Sequence, residues 1–172
     1  MPRITQHTEA RVTDRKRMVN ADIFFSESAV CDIIAHADKG ASENAEVMGL
    51  LAGRVHRDEK GTYAVVERTV TSGLLSDAVS VRFDHSDMGT LFDALDDLDF
   101  EYVIVGWYHS HLGIGCFMSD TDAATHGSAF SDDTGFALVI DPIREELKVF
   151  KSSKDGPKEA SMVIMDDHTQ MA

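Results

Sequence analysis

Long apolar runs are missing from this 172-residue chain, and cysteine is nearly so. No stretch approaches the ~18 consecutive apolar residues of a membrane span, and the opening MPRITQHTEARVTDRKRM lacks the hydrophobic centre of a signal peptide. The expectation is a cytoplasmic protein with no membrane partner. Cys31 and Cys116 alone are too few for a disulfide framework, and a reducing compartment keeps them as thiols. Three prolines and no Pro- or Ser-rich stretch leave nothing to act as an interdomain linker, while 43% hydrophobic residues suit one substantial core. A single domain over 19–172 is expected. Positive charge is also scarce, with 16 Lys+Arg against 30 Asp+Glu and a net charge of -14. Residues 1–18 carry five basic side chains against Glu9 and Asp14, a net +3, so the remainder carries -17. A body this acidic argues against nucleic acid as a partner, and the basic leader 1–18 reads as a flexible arm.

The chemistry is concentrated in residues 109–122, HSHLGIGCFMSDTD. The preceding YVIVGWYHSH is rich in β-branched and aromatic residues, as in a buried strand, where side chains at i and i+2 face the same way. His109 and His111 can therefore point at one ion. After a glycine-broken loop, Ser119 opens a helix in which Asp122, three residues on, shares its face. Two imidazoles and a carboxylate leave a fourth tetrahedral position open, the layout of a catalytic zinc. The competing reading of S-x-x-D is a capping box, with Ser119 satisfying an orphan backbone N–H. From 8 His, 14 Ser and 20 Asp, the joint spacing arises by chance in about three in a thousand such sequences, which favours the metal. The ligand types also match the facial triad of non-haem iron oxygenases.

These residues resemble the JAMM/MPN+ zinc metalloprotease family, whose signature is H-x-H, seven residues, S-x-x-D. GWYHSH followed by G-x-G-C is similar in particular to its proteasome-lid deubiquitinase and signalosome isopeptidase branch. An upstream E-V-M-G-L segment supplies the family's catalytic glutamate, and Glu46 opens EVMGLLAG here. A strand ending in Asp-Pro is matched by ALVIDPI, with Asp141 and Pro142, so the resemblance spans roughly residues 18–152. Leu112 replaces the usual proline after the second His, Phe117 the Trp after Cys, and Asp120 the small residue after Ser. None is a ligand position, so the departures bear on substrate preference. The family cysteine matching Cys116 is not a ligand, and Cys116 reads as a packed small residue.

The resemblance implies one catalytic Zn2+ on His109, His111 and Asp122, Glu46 as general base, and Ser119 as a donor to the developing oxyanion. It implies hydrolysis of the isopeptide bond between a lysine and a ubiquitin-like modifier ending in diglycine. The partners would be ubiquitin-like protein conjugates, with a homodimer or a proteasome-like assembly both open, in a free-standing prokaryotic, archaeal member. The other readings are a relative acting on sulfur-carrier or small-molecule substrates, and a non-catalytic scaffold of the same fold. Intact ligands and Glu46 argue against the scaffold.

Around the motif, Ser26 caps a helix to about Lys39, which Gly40 ends; Ala29, Val30, Ile33, Ile34 and Ala37 give its apolar stripe. Residues 47–52 and 63–70 read as strands joined by a polar turn at 57–61. Residues 72–84 are ambiguous between loop and hairpin, but Val79, Val81 and Phe83 alternate with Ser80 and Arg82 in a strand period. In the resembling enzymes this region pairs with the modifier's tail, so these three are the candidate substrate-binding residues. Met88, Leu91, Phe92, Leu95 and Leu98 predict a second amphipathic helix, and Tyr102 begins the metal strand. Strands follow at 136–140, 147–150 and 162–165. His126, four after Asp122, reads as a solvent-exposed helical residue, with a partner role to the ligand as the alternative. The remaining histidines receive no role. The mixture suggests an α+β fold, a sheet packed between helices, and the resemblance implies the MPN (JAB1/MPN/Mov34, cytidine-deaminase-like) version of it.

Overall fold

A computed structural model describes residues 12–14, 19–77, 102–130 and 135–166. Among them, nine strands form one mixed sheet: β1 (Val12–Asp14), β2 (Ile23–Ser26), β3 (Ala45–Asp58), β4 (Gly61–Asp77), β5 (Val103–Ser110), β6 (Phe136–Asp141), β7 (Glu146–Lys151), β8 (Lys158–Ala160) and β9 (Met162–Met165). The spatial order is β8-β7-β6-β5-β3-β4-β2-β9, and β1 lies alongside β3 at Val55–Arg57. Helix α1 (Glu27–Ser42) follows β2, and α2 (Asp120–Ala129) follows the motif loop. The α+β class and the sheet between helices are as expected.

Every residue of β5 and of β6 is buried, as befits central strands covered on both faces. One face packs on α1 through Ala29, Val30, Ile33 and Ala37 against Val47, Leu51, Val105 and Tyr108. The other gathers Leu50, Ala52, Ile104 and Trp107 with Ala129 and Phe130 at the end of α2. A bulge decides which β5 residues take which face. Leu51 pairs with Gly106 and Ala52 with Ile104, so Val105 is an extra residue. Val103 and Val105 therefore point to α1, whereas Trp107 and His109 point to the α2 side.

Several boundaries differ from expectation. Ser26 is the N-cap of α1, its Oγ accepting from the Ala29 N–H at 3.2 Å. Gly40, however, does not end the helix, which continues to Ser42 and turns at Asn44 in the left-handed region. Gly40 is a contact residue: a Cβ there would lie 2.4 Å from Val47 Cγ1 and 2.8 Å from the Ala45 carbonyl oxygen. The β3–β4 hairpin is longer than expected, with its tight turn at Glu59–Lys60. The first part of the ambiguous segment, to Asp77, continues β4, and β5 starts at Val103 rather than Tyr102. Strands β2 and β8 were not expected, nor was β1, which lies within the segment read as an arm. The rest of that arm and the helix expected over Met88–Leu98 lie outside the described residues. None of the described helices is long and apolar enough to cross a membrane.

Candidate metal centre

Strand β5 carries His109, and His111 follows its last residue with its N–H donating to the Ile140 carbonyl of β6 at 2.8 Å. Both imidazoles face the start of α2, where Asp122 sits in the first turn. Asp122 Oδ2 is 3.1 Å from His109 Nε2 and 3.5 Å from His111 Nε2, and the three donor atoms lie within 4.8 Å of one another. Two donors ~2.0–2.1 Å from one tetrahedral zinc lie roughly 3.3 Å apart. All three residues are buried.

The Ser119 capping box is formed, and it is compatible with a metal on Asp122 rather than an alternative to it. Ser119 Oγ accepts from the Asp122 N–H at 3.1 Å, while Asp122 Oδ2 accepts from the Ser119 N–H at 3.0 Å. The cap therefore aims the carboxylate at the histidines. Burial opposes the charge on Asp122, but contacts with His109, His111 and the Ser119 N–H outweigh it and hold its pKa far below the usual carboxylate range.

His111 is oriented by a hydrogen bond. Gly115 O is an acceptor, so His111 Nδ1, 2.7 Å away, carries the proton and leaves the Nε2 lone pair to the site. Asp141 holds that loop: Oδ2 accepts from Gly115 N–H at 2.7 Å, and Oδ1 accepts from Gly113, Ile143 and Arg144 N–H at 3.0, 3.1 and 3.1 Å. Gly113 and Gly115 have φ of 83° and 90°, backbone that a side chain would strain. Burial again opposes the Asp141 charge, and the four backbone donors lower its pKa in spite of it. The fully buried His109 ring has no such tie. Its Nε2 approaches Asp122 without hydrogen-bond geometry, and neither ring nitrogen has a hydrogen-bond partner among the described residues. A buried orphan imidazole nitrogen aimed at a carboxylate and a second imidazole fits a metal ligand.

Glu46 lies on β3, buried at 3% exposure. Met48 pairs with His109, and continuing that antiparallel register sets Glu46 across from His111, on the same face. Between them, Val47 N–H donates to Ser110 Oγ at 2.8 Å. Burial, partly offset by His111, pushes the Glu46 carboxyl up to about 7. Two carboxyls, one held ionised and one raised into the neutral range, therefore face one group of histidines.

Cys116 is buried outside the ligand group, and burial raises its thiol to about 11. The candidate substrate residues Val79, Val81 and Phe83 lie outside the described residues, although β4 pairs Ser76 with Glu46 and Asp77 with Ala45 just before that segment begins. The expectation of an exposed His126 is corrected: it is 2% exposed, accepts from Trp107 Nε1–H at 3.0 Å through Nδ1, and contacts Ser152 Oγ at 2.9 Å through Nε2. The i+4 spacing from Asp122 carried that signal, but the polarity of α2 obscured it. The Asp-Pro motif marks Asp141 in the sequence but does not reveal its role in organising the loop.

Fold and site together define a class: an α+β sheet protein with a buried His-His-carboxylate group suited to one divalent ion. The chain belongs to the JAB1/Mov34/MPN/PAD-1 ubiquitin protease family, whose profile matches residues 20–133. It is 32% identical over 158 residues to COP9 signalosome complex subunit 5a of Arabidopsis thaliana, a match covering 85% of this chain and 41% of that protein. It is also 32% identical over 124 residues to ubiquitin carboxyl-terminal hydrolase RPN11 of Saccharomyces cerevisiae, covering 71% and 39%. The chain thus spans about two fifths of the length of these relatives. A solution structure of a protein from Desulfitobacterium hafniense superposes with a TM-score of 0.62 at 25% identity, covering 84% of this chain and 94% of that one.

Proposed function

We propose that the chain is a zinc-dependent isopeptidase that releases ubiquitin-like modifiers from lysine by hydrolysis after a C-terminal diglycine. The observation that carries this reading is the meeting of three ligand-spaced donors with a buried glutamate raised to about 7. His109, His111 and Asp122 would hold the zinc, which when bound would supply Lewis acidity and lower the pKa of water. Glu46 takes the proton from the attacking water and returns it to the departing lysine amine, a task suited to a carboxyl that titrates near neutrality. Asp122 stays ionised throughout. Ser119 Oγ accepts from the Asp122 N–H, which leaves its own proton to donate to the oxygen that gains charge during attack.

Val79, Val81 and Phe83 bind the modifier's extended tail as an added strand, a role supported by the pairing of Ser76 with Glu46 shortly before them in the chain. One relative is a signalosome subunit and another a ubiquitin carboxyl-terminal hydrolase. They support ubiquitin-like protein conjugates as substrates; the same reading takes a homodimer or a proteasome-like assembly in the cytoplasm as its setting.

Zinc-loaded protein incubated with ubiquitin-like conjugates from its own host should release a modifier ending in a free diglycine carboxylate and an unmodified lysine. Release from a sulfur-carrier conjugate, with lysine conjugates untouched, would instead favour the sulfur-carrier reading.

A further inference from the structure

The two histidines of the metal centre are oriented by different means. His111 is fixed by its hydrogen bond to Gly115 O, whereas His109 is stacked on Trp107, with ring centroids 4.5 Å apart and planes at 21°. A ligating histidine is ordinarily held by a bond from its other ring nitrogen, and among the described residues His109 Nδ1 has none. The Trp107 ring takes that place, so the direction of the His109 lone pair depends on how firmly the indole is held.

The indole is held by His126. Indole N–H can only donate, so His126 Nδ1, 3.0 Å from Trp107 Nε1, must be unprotonated. The neutral ring then carries its proton on Nε2, which donates to Ser152 Oγ at 2.9 Å, just beyond β7. Phe130 stacks on the same imidazole at 5.3 Å. Trp107, His109 and His126 are all at most 2% exposed, so water does not compete for these contacts. His126 also lies one helical turn beyond Asp122 on α2, and these are the two residues that the helix buries. One imidazole thus anchors the helix bearing the third ligand and the indole that orients the first.

We infer that His126 is a positioning residue for the metal centre, setting the His109 ring through Trp107. The inference rests on the metal reading above. Zinc affinity, measured by competition with a chromophoric chelator, should fall 10- to 100-fold in H126L, as for loss of an outer partner of a ligand. H126Q should stay within about threefold of wild type, because the amide oxygen can accept from the indole and its NH2 can donate to Ser152. W107F keeps an aromatic face against His109 but loses the N–H, so it should weaken zinc about as much as H126L. Adding H126L to W107F should then cost less than about twofold more. Trp107 is the only tryptophan, so its fluorescence reports the contact: the emission of zinc-free protein should shift in H126L and return in H126Q.

Wild-type affinity in H126L overturns the inference, as do additive losses in the double variant. Should H126L fail to fold, unchanged zinc affinity in W107F overturns it equally. A wild type that binds no zinc removes the metal reading itself, and with it this inference.

Discussion

Replacing Asp141 by asparagine should destabilise the metal-free protein by about 3 kcal/mol and weaken zinc binding about 10- to 100-fold, although Asp141 is not a ligand. The carboxylate is fully buried and accepts four backbone N–H bonds, three on Oδ1 and one from Gly115 on Oδ2. An asparagine oxygen can keep the three, each weaker by roughly 1 kcal/mol without the charge, while its NH2 faces the Gly115 N–H and leaves that donor unsatisfied for roughly 1–3 kcal/mol more. Added directly these come to roughly 4–6 kcal/mol, but three donors sharing one oxygen do not act additively, which brings the expectation down to about 3 kcal/mol. The zinc effect follows because Gly115 is tied at both ends, its N–H to Asp141 and its carbonyl to His111. Urea denaturation of metal-free protein measures the first quantity and chelator competition the second. The pH dependence has a definite sign. The folded pKa of Asp141 is lowered, so its contribution is complete above the unfolded value of about 3.9 and is lost as pH falls through the folded pKa. The gap between wild type and D141N should therefore narrow in acid. A D141N protein within about 0.5 kcal/mol of wild type, with undiminished zinc affinity, would refute this account of the loop.

G40A tests the packing of α1: alanine's better helix propensity favours it by about 1 kcal/mol, but the Cβ would meet Val47 and Ala45, so chemical denaturation should show a net loss of about 1–2 kcal/mol. A stabilised G40A would mean that the contact yields freely. E46Q should keep its zinc yet lose on the order of 10²- to 10⁴-fold in turnover of a modifier–lysine conjugate, and normal turnover would remove Glu46 from the mechanism. V81P should slow cleavage of a folded modifier conjugate far more than it changes zinc content or thermal stability; unchanged kinetics would show that this segment does not clamp substrate.

The metal group was legible because both of its spacings are local. Two residues apart on a strand and three apart at a helix start each fix a shared face, and residues 109–122 contain both. A cap and a ligand are not exclusive readings, since Asp122 Oδ2 accepts the cap bond and still lies 3.1 Å from His109 Nε2. What sequence concealed depends on partners distant in the chain. Strand β2 pairs with β9, Ile23 against Met162, and neither its length nor its composition announces that parallel contact. Gly40 resembled a helix stop because glycine commonly is one, whereas here its missing side chain admits Val47. His126 lies on a helix with almost no apolar stripe, and its burial depends on Trp107 and Ser152, 19 and 26 residues away. Glu46 was legible only through the EVMGL resemblance, because the contact itself is long-range: the β3–β5 register brings it opposite His111.

The most direct test of the central claim is elemental analysis of protein purified from zinc-replete cells, alongside H109A and D122A. The account predicts about one zinc per chain in the wild type and less than about one tenth of that in each variant, with folding retained by circular dichroism. Wild type without zinc, or full occupancy in both variants, would contradict the assignment of His109, His111 and Asp122 as the metal centre.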